Sequence, residues 1–128
     1  MQSDLAMSHI KSVNIPESWI AVLIGNAPSL LFDALILKHR CSCRVCVIGR
    51  LPFLRSHDVF GVSYRRIRSN GIWLSLALQE IITLYRDRIV AIVHVGEGYT
   101  EEIYCLHDLI ECNAIILDPH LKNATANF

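Results

Sequence analysis

The chain has 128 residues, 52% of them hydrophobic, and its 12 basic and 12 acidic side chains give a formal charge of zero. That content fills one core and excludes a disordered or fibrous chain, and the even charge excludes a polycation built to coat nucleic acid or an anionic membrane. No apolar run approaches the roughly 18 to 20 residues of a membrane span, and no basic stretch leads into an apolar core and cleavage site, so a cytoplasmic protein is expected.

In chain order, a polar start ends near Pro16, and Trp19 to Ile24 is a short apolar run closed by Gly25, as in a buried strand. Pro28 stands where a helix opens. Leu30, Leu31, Ala34, Leu35 and Leu37 supply its apolar face, and Lys38, His39 and Arg40 suit the negative end of its dipole. Arg44–Gly49 and Val59–Tyr64 read as the next strands, separated by a loop containing Pro52 and His57. Gly71 opens an apolar segment, 72–85, whose helical faces nearly all carry Leu, Ile or Trp, so a helix buried on most sides is expected, in the core or a subunit interface. Ile89–Val95 is the most strand-like run, followed by Gly96-Glu97-Gly98 and a helix from Thr100 through Glu111. Ala114–Leu117 closes the series before Asp118-Pro119.

Strands alternating with helices predict a single small α/β domain over 1–128. It should be a three-layer sandwich around a mainly parallel sheet, with 1–16 as an N-terminal extension and 121–128 as a flexible tail. Ligands of such sheets lie beyond the carboxyl ends of the strands.

The turn Ile24-Gly25-Asn26-Ala27-Pro28-Ser29, running into Leu30-Leu31-Phe32, resembles the Ile-Gly-Asn-Ala-Pro motif of the precorrin-8X methylmutases, also called cobalt-precorrin isomerases. The segment from Val62 to Ile72 resembles, more loosely, that family's arginine- and glycine-containing turn. Arg66 and Arg68 keep two arginines, Ile67 replaces the glycine between them, and Gly71 keeps one of a glycine pair. The strand Ile89–His94 and the run Ala114–Asp118 resemble the family's N-terminal half, which would make this chain a shortened, circularly permuted relative. Ala91 stands where the family has an arginine, and Arg50-Leu-Pro-Phe-Leu-Arg-Ser-His57 replaces a family loop.

The resemblance implies an isomerase of cobalamin biosynthesis that moves a methyl group between neighbouring carbons of a corrin precursor, without a cofactor and in a homodimer. It implies His94 as the general acid; Gly25, Asn26 and Ser29 as ligand-facing; Arg66 and Arg68 as anchors for substrate carboxylates; and Trp73 or Trp19 near the dimer contact.

The residues support these roles independently in part. An imidazole exchanges protons near neutrality, glycine and asparagine tolerate left-handed turns that present amides to an anion, and guanidinium groups pair with carboxylates. A buried histidine, a ligand-free turn and a solvated strand end are the structural alternatives. A second functional reading is a non-catalytic relative that binds a tetrapyrrole or another anion, and a third is a tetrapyrrole metal chelatase.

Five cysteines argue against a disulfide framework in a cytoplasmic chain. Cys41, Cys43 and Cys46 with His39 have zinc-like spacing, but Cys46 falls inside a strand, so packing is preferred and no metal is assigned. Cys105 and Cys112 read as core, and Asp118-Pro119-His120 as a terminating turn. Neither nucleic acid nor membrane is expected as a partner.

Overall fold

A computed structural model describes residues 13–50, 57–59, 61–68, 72–96, 99, 101, 103 and 114–117. The chain runs β1 (Ile20–Ile24), α1 (Ser29–Cys41), β2 (Arg44–Gly49), β3 (His57–Val59), β4 (Val62–Arg66), α2 (Ile72–Leu84), β5 (Val90–Val95) and β6 (Ala114–Ile116). These strands form one six-stranded sheet in the order β3-β4-β2-β1-β5-β6. All pairings are parallel except that of β3 with β4. The expected α/β class with a mainly parallel sheet is therefore the observed one.

Both faces of the sheet are covered, which is why β1 reads as an unbroken apolar run, with all five of its residues buried. Its side chains alternate. Ile20, Val22 and Ile24 join one core cluster with Leu74, Leu78 and Ile81 of α2, while Ala21 and Leu23 join another with Leu30, Ala34 and Leu37 of α1. Each fully buried Leu or Ile stabilises the fold by about 1.5 to 3 kcal/mol relative to an exposed one. The sheet with α1 on one side and α2 on the other makes the three layers.

α1 begins at Pro28, whose fixed φ suits the helix start, with no side chain capping its first amides. It ends where Ser42 turns left-handed (φ 58) and donates its N–H to the Lys38 carbonyl at 2.9 Å. Lys38, His39 and Arg40 occupy its last turn as expected.

Three features differ from the sequence reading. Val59 does not continue into β4. It belongs to β3, which folds back antiparallel with His57 opposite Tyr64, and the reversal uses Gly61 at φ +81, a conformation that favours glycine. Val13 and Ile15 are buried in the α1-side cluster, so the core reaches into the stretch expected to be an extension. The helix at 72–84 buries one stripe, Leu74, Ala77, Leu78 and Ile81, and leaves Ile72, Trp73, Leu76 and Leu84 exposed. Gln79, Glu80 and Thr83 mark the outer side in sequence, but the exposed apolar residues interleaved with them, Ile72, Trp73, Leu76 and Leu84, hid how far it extends.

Among the described residues, no helix is long and apolar enough to cross a membrane.

Candidate functional site

The strand order sets the place to look. From β1 the chain moves through α1 to β2 and onward to β4. It then returns through α2 to β5, on the other side of β1. After β1 the chain packs on the α1 face, whereas after β5 Tyr99 and Ile103 pack on the α2 face. The two connections diverge from neighbouring strand ends, and in open parallel sheets such a switch point is where ligands settle.

Three glycines meet at this edge, Gly25 after β1, Gly49 closing β2 and Gly96 after β5. A Cβ on Gly49 would overlap the Gly25 carbonyl oxygen, and a Cβ on Gly96 would stand 3.2 Å from the Gly25 Cα. The Gly25 N–H donates to the Ile48 carbonyl at 3.0 Å, and the Gly96 N–H to the Ile24 carbonyl at 2.6 Å. Gly25 therefore extends the sheet bonding instead of offering a free amide. Neither it nor Asn26 is left-handed: the positive φ values among the described residues are those of Ser42 and Gly61. Small size, not turn geometry, is what this position needs.

Asn26 ties the edge together. Its Oδ1 accepts from the Arg50 backbone N–H at 3.1 Å and from the Tyr99 hydroxyl at 2.6 Å, joining the loops after β1, β2 and β5. Tyr99 is fully buried and was not singled out from sequence. Its signal was its position, the first aromatic after the glycine-rich end of the most strand-like run. Ser29 is exposed at the first residue of α1, where Leu30 and Leu31 already donate to the Ala27 and Pro28 carbonyls at 3.0 and 3.2 Å.

His94 lies near the end of β5 as predicted, but a bulge decides its direction. The pairing of β1 with β5 slips after Val22, so that Leu23 stands opposite His94 and Val93 is the extra residue. Leu23 and Val93 both belong to the α1-side cluster, while Val95 belongs to the other. The bulge thus hands His94 to the α1 face; regular alternation would have carried it with Val90 and Ile92 to the α2 face. The side chain is half-buried, with Nδ1 shielded from solvent.

The arginines divide. Arg65 forms an ion pair with Glu80 of α2 at 2.6 Å, and Arg68 lies over the Trp73 ring with its guanidinium carbon 5.5 Å from the centroid. Arg66, opposite Gly49 in the register, alternates to the α1 face with Val62 and Tyr64 and is exposed. Though neighbours in sequence, Arg65, Arg66 and Arg68 therefore do not form one cationic cluster. Arg50, not singled out from sequence, instead stands beside Gly49 on the neighbouring strand, exposed and hydrogen-bonded through its backbone to Asn26. Among the described residues the carboxyl edge thus carries Arg50 and Arg66, with His94 across β1.

Asp33 is the buried acid of this face, 5% exposed on α1, and burial raises its carboxyl above the usual range. Its place between Leu30 and Leu37 at helical spacing was the available signal. Cys43 packs in the α1-side cluster and Cys46 in the α2-side one, which sets two of the three zinc-spaced thiols on opposite faces of the sheet. Burial pushes the Cys43 thiol up to about 11. Among the described residues, no group of three or more His, Cys, Asp or Glu side chains could hold a metal ion. Gly71, Glu97, Gly98, Thr100, Cys105, Cys112 and the Asp118-Pro119-His120 turn lie outside the described residues.

Comparisons with protein-family models, with curated proteins and with solved structures return no match to this chain.

Proposed function

We propose that this protein binds an anionic small molecule beyond the carboxyl ends of β1 and β5. The switch point between these strands, where one connection leaves toward α1 and the other toward α2, is the observation that carries the reading. Exposed Arg50 and Arg66 supply carboxylate-matching guanidinium groups beside it, and the exposed Ser29 stands at the positive end of α1. The Ile24–Ser29 resemblance nominates polycarboxylate corrin precursors as the ligand class.

A second, catalytic reading is a methylmutase-like isomerase in which His94 donates the proton that accompanies methyl migration. The bulge in β5 favours it, since bulges are over-represented beside active sites, where they re-aim a side chain. With Ala91 buried in place of an arginine, His94 would work without a neighbouring guanidinium on its own strand. A cytoplasmic homodimer belongs to the same proposal, with the exposed Ile72, Trp73 and Leu76 face of α2 as the surface a second copy would cover.

Incubation of the purified protein with hydrogenobyrinate, followed by gel filtration and visible spectroscopy, tests the binding reading. Co-elution of colour that falls at least ten-fold in Arg50→Ala and Arg66→Ala supports it. Absence of retained colour sinks the corrinoid assignment. Turnover of precorrin-8X lost in His94→Ala, with binding kept, separates the isomerase from a binding protein.

A further inference from the structure

At the opposite, amino-terminal edge of the sheet lies an open cavity of about 650 Å³, lined by Glu17, Ser18, Lys38, Ser42, Arg44 and Arg88, with Gly61 in its wall. This volume falls within the range of small-molecule sites. Three cations line it from separate elements: Lys38 from the last turn of α1, Arg44 from the first residue of β2 and Arg88 from the turn before β5. The register fixes their spacing. Ile20 of β1 pairs with Arg44 on one side and with Val90 on the other, so the starts of β2 and β5 flank β1 about 10 Å apart.

Local structure holds each cation in place. The Arg44 guanidinium carbon lies 5.6 Å from the centroid of the Tyr85 ring. The Arg88 N–H donates to the Tyr85 carbonyl at 2.9 Å, closing the turn that brings it beside the sheet. Lys38 lies across Gly61, where a Cβ would stand 2.7 Å from the Lys38 Cε, so the glycine makes the seat for that side chain. The exposed hydroxyls of Ser18 and Ser42 complete a polar lining.

The cations do not serve the helix ends alone. α1 and α2 both terminate at this edge, and each helix C-terminus carries about half a negative charge. Among the lining residues the three cations face one acid, Glu17.

We propose that this cavity binds a phosphate group, separately from the ligand proposed at the carboxyl edge. Arg44 and Arg88 would grip its oxygens from two strands, Lys38 would close the third side, and the serine hydroxyls would donate the remaining hydrogen bonds. A free phosphate ion and a phosphate monoester present the same chemistry. The volume, far larger than one phosphate, leaves room for the organic part of an ester.

The test is a ¹H–¹⁵N NMR titration of the whole chain with inorganic phosphate and, in a second arm, glycerol 3-phosphate, at ionic strength matched with sodium chloride. Saturable shifts at Ser18, Ser42, Arg44 and Gly61, with Gly25, Asn26 and Gly96 unmoved, are expected. Saturation by phosphate marks a free-ion site, and saturation by the ester alone marks an ester site; either supports the proposal. Arg44→Gln and Lys38→Gln, both at accessible side chains, should each weaken binding about ten-fold, while Glu17→Gln should tighten it several-fold, with native peak dispersion kept. Shifts that stay linear, that sodium chloride reproduces, or that fall at Gly25, Asn26 and Gly96 would overturn it.

Discussion

Gly49 is the residue whose replacement the fold tolerates least at the carboxyl edge. Its missing side chain is the space into which the Gly25 carbonyl projects, and its own carbonyl accepts from the Ile67 N–H at 2.9 Å and the Tyr64 hydroxyl at 3.1 Å. Gly49→Ala should cost about 3 kcal/mol through forced backbone movement, and Gly96→Ala, whose nearest contacts are 3.2 and 3.3 Å, about 1 kcal/mol. Urea unfolding of both variants checks the order. Asp33 predicts a pH signature of its own. Burial raises its folded-state pKa above the ordinary 3.8, so its favourable contribution is complete below that value and is lost as pH rises through the raised one. Asp33→Asn should accordingly be the more stable protein at pH 7, by about 1 kcal/mol, with the difference shrinking toward pH 4. For Cys43 the same sign holds at higher pH: its contribution is present below pH 9 and lost toward about 11, and at pH 8 the part-buried Cys41 should alkylate well before Cys43 or Cys46. Sequence placed Cys46 in the core correctly from its strand context. It could not find the glycine contacts, because those depend on which loops meet across three strands.

At the scale of elements, the loops after β1, β2 and β5 are one unit because Asn26 joins them. Tyr99→Phe removes one hydrogen bond and should cost about 1 kcal/mol. Asn26→Ala strands two donors, the Arg50 amide and the buried Tyr99 hydroxyl, and should cost about 2 kcal/mol and speed hydrogen exchange at Gly25 and Gly96. β1, α1, β2, α2 and β5 were legible to within a residue or two, since each is a run of one period bounded by Gly, Pro or polar residues. The β3 to β4 reversal was not. Val59 and Val62 to Tyr64 form a single β-favouring stretch, and only the left-handed Gly61 divides it. The β5 bulge was equally hidden, since an extra residue in a strand leaves its composition unchanged while reversing the face on which His94 stands.

For the whole molecule, the alternation of strands and helices announced the α/β class, but the order β3-β4-β2-β1-β5-β6 did not follow from it. That order sets two edges of the sheet apart. The carboxyl edge gathers Asn26, Arg50, Arg66 and His94 around a switch point, and the amino edge gathers Lys38, Arg44 and Arg88 around a cavity. The resemblance singled out His94 and paired Arg66 with Arg68, but Arg68 lies over Trp73 of α2, as Arg65 pairs with Glu80, while Arg66 alternates to the α1 face. The central proposal is that a ligand settles beyond the carboxyl ends of β1 and β5. Its most direct test is backbone NMR of the protein titrated with hydrogenobyrinate. The account predicts saturable shifts concentrated at Gly25, Asn26, Arg50 and Gly96, and reduced in Arg66→Ala. Saturable shifts confined to other parts of the sheet, or none at any concentration, would contradict it.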